Sequence, residues 1–149
     1  MSLSRLIIYV NDMSAISDGE LRLYILRLAR RIRSHRSADV SDPGISILFT
    51  LERDGARLPS ELAAQEHVSR PAINRTLNSL ERDGYIERSP DWRDGRKVVV
   101  RLTKAGMDRA TETRALRTAW FSRRLAELTV AEREALHAAA PVIRRLSEQ

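Results

Sequence analysis

Cysteine is absent from this sequence. That excludes a disulfide framework, thiolate zinc sites, iron–sulfur clusters and sensing through a reactive thiol, and it is compatible with a reducing cytoplasm. Glycine and proline are scarce, six and five among 149 residues, and no low-complexity tract or 20–50-residue repeat occurs, so neither a disordered chain nor a repeat array is expected. The three histidines, His35, His67 and His137, lie far apart and none has the spacing of a metal site or catalytic triad. With no phosphate-cradling glycine loop either, the expectation is no catalytic residues, no metal, no cofactor and no enzyme activity. Long apolar runs are missing too. Leu6–Val10 stops at Asn11-Asp12, too short to span a membrane and without a small-residue cleavage site, and it reads as a packing or dimer-swapping tail.

What is present is the composition of a globular chain, 42% hydrophobic and 31% charged, long enough for one good core, so residues 1–149 are expected to form a single domain. The net charge of +6 argues for a polyanionic partner but not for a fold. Its distribution matters more than its sum. Residues 41–103 carry ten basic and ten acidic side chains, yet no acid lies between His67 and Leu80, where Arg70 and Arg75 sit. From Arg88 to Arg101 there are five basic residues against two acidic.

Hydrophobic periodicity divides the chain. Leu21, Ile25, Leu28 and Ile32 form a helical stripe behind a Ser17-x-x-Glu20 capping box, predicting a helix over roughly 18–36 with an arginine-rich outer face. Pro43-Gly44 reads as a break, after which Ile45, Leu48 and Leu51 mark a short helix ending at Asp54-Gly55. A second begins near Pro59 and turns Leu62, Ala63 and Val68 inward. A third is capped by Ser69 and carries Ile73, Leu77 and Leu80 to Asp83-Gly84. The period then changes to that of strands at Tyr85–Arg88 and Lys97–Leu102, joined by a turn-rich, charged tip. Helical spacing resumes through Met107, Ala110, Leu116, Trp120 and Leu125, and Thr129-x-x-Glu132 opens a last helix. There Leu136, Ala139, Ala140, Ile143 and Leu146 repeat as a helix–helix seam requires, and Pro141 should kink or break it. The fold class is therefore mainly α with a small β-hairpin wing, a winged helix-turn-helix plus a helical dimerisation region.

In that layout one helix is slim enough to enter a DNA major groove while the hairpin reaches the flanking backbone or minor groove. The helix from Ser69 leaves Arg70, Pro71, Asn74, Arg75 and Asn78 on the face opposite its apolar stripe. Arginine can donate two hydrogen bonds to guanine, and asparagine can make a bidentate pair with adenine. Taken alone, this face reads as a solvated polar surface, and the wing, with Arg93, Asp94, Arg96 and Lys97 at its tip, changes that reading. An aspartate two residues from an arginine can orient the guanidinium rather than cancel it, and a presented arginine suits a narrow minor groove.

Asp94-Gly95-Arg96-Lys97-Val98-Val99-Val100-Arg101-Leu102-Thr103 resembles the wing motif of the MarR family, an Asp-x-Arg followed at fixed distance by Leu-Thr. Leu58–Ala63, Ser69–Arg75 and Leu80–Arg88 are similar to that family's helix-turn-helix in the same order, and the resemblance extends from about Leu21 to the end of the chain. One departure is Leu58, where many members have a Ser or Thr cap. The resemblance implies a cytoplasmic transcriptional regulator, a triangular homodimer on double-stranded DNA, without a membrane partner. In it, residues 41–103 are the winged unit, and 1–38 and 104–149 form the dimerisation region. Each recognition helix would read half of a pseudo-palindromic operator, with Arg96 in the minor groove held by Asp94, and repression would follow from occupying a promoter. It further implies a small-molecule effector of unknown identity, with Tyr24, Arg27 and Trp120 as wall residues. Large side chains at helical spacing also suit a core or dimer seam, and that alternative stays open. The apolar stripes of the first and last two helices, more than three short helices can cover, independently call for a partner chain. The competing reading is a winged-helix protein-interaction module without DNA binding. Arg70, Asn74, Arg75 and Arg96 argue against it.

Overall fold

The computed structural model describes residues 16–92 and 94–148. The chain divides into two units, Met1–Ser34 and His35–Gln149. The Leu6–Val10 tail and Arg93 lie outside the described residues.

In the first unit, helix α1 (Asp18–Ser34) starts where the sequence predicts. Glu20 N–H donates to Ser17 Oγ at 3.3 Å, while Ser17 N–H donates to Glu20 Oε2 at 3.0 Å, so two otherwise orphaned donors are satisfied reciprocally. None of its residues is buried in the single chain.

The second unit contains α2 (Asp42–Asp54), α3 (Pro59–Gln65), α4 (Arg70–Arg82), strands β1 (Ile86–Pro90) and β2 (Val98–Leu102), α5 (Lys104–Ala126) and α6 (Val130–Ser147). Six helices and one two-stranded antiparallel sheet make up the described residues, in register from Ile86 opposite Leu102 to Pro90 opposite Val98. The core gathers Ile45, Ile47, Leu48 and Leu51 of α2, Leu62 of α3, Ile73, Leu77 and Leu80 of α4, Ile86 and Val100 of the hairpin, and Ala110 of α5. The helix-turn-helix and the hairpin thus share one apolar centre. Burying about a dozen such side chains is the main force that fixes their mutual placement.

Three expectations are corrected. Pro43-Gly44 opens α2 rather than breaking the chain: Ser41 Oγ caps it by accepting from Gly44 N–H at 3.2 Å, and a proline in the first turn forfeits no intrahelical hydrogen bond. Val68 does not turn inward. His67 takes a left-handed conformation (φ 53°), which ends α3 early and leaves Val68 42% exposed in the turn before α4. Nor does Pro141 break α6, which runs unbroken past it. The one carbonyl deprived of a donor belongs to the exposed His137, where water can satisfy it.

The hairpin is tied down at its root. Arg57, just before α3, exchanges backbone hydrogen bonds with Val100 of β2, at 3.1 and 2.8 Å. Thr103, the cap of α5, donates its hydroxyl to Gly84 C=O at 2.6 Å and its N–H to Tyr85 C=O at 3.1 Å. A Cβ on Gly106 would stand 2.0 Å from Tyr85 O, so only glycine permits this approach of α5 to the start of the wing.

Candidate nucleic-acid interface

Helix α4 is amphipathic, with an apolar face in the core and a polar face exposed. Ile73, Leu77 and Leu80 are buried, whereas Arg70, Pro71, Asn74, Arg75 and Asn78 are exposed. Ser69 caps the helix by accepting from Ala72 N–H, with Pro71 in the first turn. Arg70 and Arg75 make no side-chain hydrogen bond or ion pair among the described residues, so their donors are available. Asn78 is different. Its Oδ1 accepts from Arg88 Nη2 at 2.9 Å, and the other terminal nitrogen of Arg88 is paired with Glu81. Arg88 therefore clamps β1 to α4, and Asn78 serves that clamp with its oxygen while keeping its amide donors.

At the wing tip the chain is held by backbone bonds: Asp91 N–H donates to Lys97 C=O at 2.8 Å and Lys97 N–H to Asp94 C=O at 2.9 Å. Asp94 Oδ1 accepts from the backbone N–H of Arg96 at 3.2 Å, and its other oxygen lies 3.8 Å from Lys97 Nζ. The carboxylate thus shapes the turn that carries Arg96 rather than gripping its guanidinium, which is exposed and has no partner among the described residues. This is the Asx-turn use of aspartate, in which the side chain substitutes for a backbone acceptor.

A cleft of about 470 Å³ joins the two elements. It is lined by Leu58, Pro59 and Ser60 at the start of α3, Arg70, Ile73 and Asn74 of α4, and Lys97 and Val98 of the wing. No acidic side chain lines it. Arg70, Asn74 and Lys97, far apart in sequence, are brought to one opening. The other anticipated residues fall elsewhere. Tyr24 and Arg27 are exposed on α1. Trp120 of α5 is 7% exposed, stacked on His35 with ring centroids 4.7 Å apart, and has the Arg124 guanidinium 5.8 Å from its ring centre.

Sequence reasoning missed a polar cluster behind the wing. Arg109 of α5 donates to Ser37 Oγ (2.6 Å), Glu112 (2.7 Å) and the Tyr85 hydroxyl (3.1 Å), and lies 3.0 Å from Asp39, to which Tyr85 also donates at 2.5 Å. The Tyr85 hydrogen bond, more than the Arg109 charge, holds the Asp39 carboxyl below its ordinary range, and the same bond pushes the Tyr85 hydroxyl up. The members come from positions 37, 39, 85, 109 and 112, so no local pattern could reveal them. Arg88 could have been suspected from the two acceptors, Asn78 and Glu81, one helical turn apart on α4.

A profile of the MarR family matches residues 40–98, from two residues before α2 to the first residue of β2. An HTH-type transcriptional regulator of Mycobacterium tuberculosis is 34% identical over 139 residues, covering 93% of this chain and 97% of its own. The chain belongs to the MarR family. It is a transcriptional regulator of MarR type, and DNA binding is what the family implies. An HTH-type transcriptional repressor of Bacillus subtilis is 30% identical over 63% of this chain and 62% of its own. Wild-type E. coli MarR in its apo form has the same fold, with a TM-score of 0.69, 23% identity and 96% of each chain covered. Among the described residues of this MarR-family chain, no helix is long and apolar enough to cross a membrane, and no group of three or more histidine or acidic side chains is placed to hold a metal ion.

Proposed function

We propose that this protein is a cytoplasmic homodimeric repressor that reads a pseudo-palindromic operator through α4 and the wing. The observation that carries this reading is the acid-free cleft where Arg70 and Asn74 meet Lys97, on a helix that also exposes Arg75 with its donors available. Ser69 and Pro71 set the start of the helix. Arg70, Asn74, Arg75 and the amide donors of Asn78 face the bases, and Arg93, Asp94, Arg96 and Lys97 form the flanking contact. An isologous two-fold dimer would set the two recognition helices one DNA turn apart, roughly 34 Å. The exposed Leu21, Ile25 and Leu28 of α1 and Leu136, Ile143 and Leu146 of α6 supply apolar surface for the partner. The repressor role is supported by the Bacillus subtilis relative, a transcriptional repressor, and by the simplest mechanism, promoter occupancy. Release by a small ligand of unknown identity completes the reading, acting by moving the recognition helices off the DNA-compatible spacing.

The test is a fluorescence-anisotropy titration against duplex from the upstream intergenic region and against scrambled duplex, at two salt concentrations. Salt-dependent preference for the native duplex is expected. Arg96→Ala should weaken binding to all sequences and flatten the salt slope, whereas Asn74→Ala or Arg75→Ala should relax preference at particular base pairs by about 1–3 kcal/mol each. Absence of binding to either duplex at both salt concentrations would transfer the protein to the interaction-module reading. Equal operator affinity with and without small aromatic acids would leave a constitutive repressor.

A further inference from the structure

The chain has two tryptophans, and the structure treats them oppositely. Trp120 is buried in the stack with His35. Trp92 is 77% exposed, the most exposed of the large apolar side chains among the described residues. It stands two residues beyond the last paired position of β1, in a loop closed by the Asp91–Lys97 backbone bond that also carries the exposed cations Arg96 and Lys97. Of the two acids in that loop, Asp91 is half-buried and Asp94 is occupied with the turn backbone and Lys97, while Arg96 is exposed with no side-chain partner among the described residues. The wing therefore exposes a large flat apolar ring on the same short loop as the exposed Arg96 and Lys97, carried on a braced hairpin.

A polyanion that also offers apolar faces fits this combination. In duplex DNA the minor groove is such a surface: deoxyribose forms its walls, and adenine N3 and thymine O2 line its floor. We propose that Trp92 is a DNA-contacting, specificity-determining residue of the wing. Its exposed indole packs on the deoxyribose wall of the minor groove flanking each half-site. Because the 2-amino group of guanine would project against the indole, the contact favours A·T pairs at that flank. This rests on the assignment of the wing to DNA made above, and it deepens that assignment by adding a side chain that carries no charge.

The experiment compares wild type, Trp92→Ala, Trp92→Phe and Arg96→Ala by anisotropy with labelled duplexes that hold the native half-sites and carry A·T, G·C or inosine·cytosine pairs in the flank. Inosine·cytosine lacks the minor-groove amino group but keeps the major-groove pattern of G·C. Wild type should bind the A·T and inosine flanks alike and the G·C flank about tenfold more weakly. Trp92→Ala should lose about tenfold on the A·T flank with the salt slope and melting temperature unchanged, since no charge and no buried group is removed. Trp92→Phe should recover the packing but not the flank preference. If Trp92→Ala binds every duplex as wild type does while Arg96→Ala loses affinity, the Trp92 contact is overturned and the DNA reading stands. If wild type binds none of the duplexes, both fall together.

Discussion

Helices α2 and α6 are both amphipathic and both begin with a well-formed cap, yet they end in opposite circumstances. The thirteen residues of α2 include six that are buried: Gly44, Ile45, Ile47, Leu48, Thr50 and Leu51. The eighteen residues of α6 include none, although Leu136, Ile143 and Leu146 mark a clear apolar face. Burial, not amphipathicity, separates them. The stability of α2 comes from side chains of its own chain, whereas the apolar face of α6 is left exposed by the described residues. The first is an element of the fold and the second, on our reading, an element of assembly.

The sharpest way to break this contrast is to charge α6. Ile143→Asp with Leu146→Asp should convert the dimer to monomer in sedimentation equilibrium and lower operator affinity by two orders of magnitude or more, on the order of 3 kcal/mol, while circular dichroism still reports a folded chain. Retention of the dimer would show that α6 is not the seam. Leu48→Ala, at a side chain with no exposure, should instead cost about 2–5 kcal/mol in denaturant unfolding, because the packed centre beneath α4 cannot collapse onto the gap. An equal loss from Leu136→Ala in monomeric protein would erase the distinction between the two helices. Gly106→Ala should destabilise by about 3 kcal/mol, since its methyl group must displace the backbone at Tyr85. Hydrogen exchange should then quicken in the hairpin before it does in α2.

Tyr85→Phe should have the smallest effect, about 1 kcal/mol at neutral pH, from loss of the hydroxyl shared by Asp39 and Arg109. Its signature is in the pH profile. Asp39 titrates lower in the folded chain than in the unfolded one, so its stabilisation is present above about pH 4 and is lost as pH falls through the folded value. Tyr85 titrates higher when folded, so its contribution holds below about pH 10 and is lost as pH rises through the raised value. Both slopes should flatten in the phenylalanine variant, measured by urea midpoints across the pH range. Unchanged slopes would detach the cluster from wing stability.

The helices were legible because their signals are local: the Ser17–Glu20 and Thr129–Glu132 boxes and the spacing of Ile73, Leu77 and Leu80 all fall within a few turns. Pro43-Gly44 misled because proline and glycine punctuate both breaks and helix starts, and only the Ser41 cap distinguishes them. Val68 misled because the left-handed turn falls on His67, where glycine is the usual signal. At the wing tip, spacing suggested that Asp94 orients the Arg96 guanidinium, whereas its carboxylate accepts from the Arg96 backbone N–H.

Taken by itself, the sequence determined the order of elements, the apolar stripe and the polar face of α4, and the composition of the wing tip, since helix and strand periods, caps and turn residues act over a few positions. Tertiary structure alone decided which polar groups on those surfaces are already engaged. Arg88 takes the oxygen of Asn78, and Arg109 gathers Ser37, Asp39 and Tyr85. Arg70, Asn74 and Lys97 come to share one cleft. Each of these depends on the hydrophobic centre drawing distant segments together, and hydrogen bonds then form between whichever side chains that packing leaves within reach.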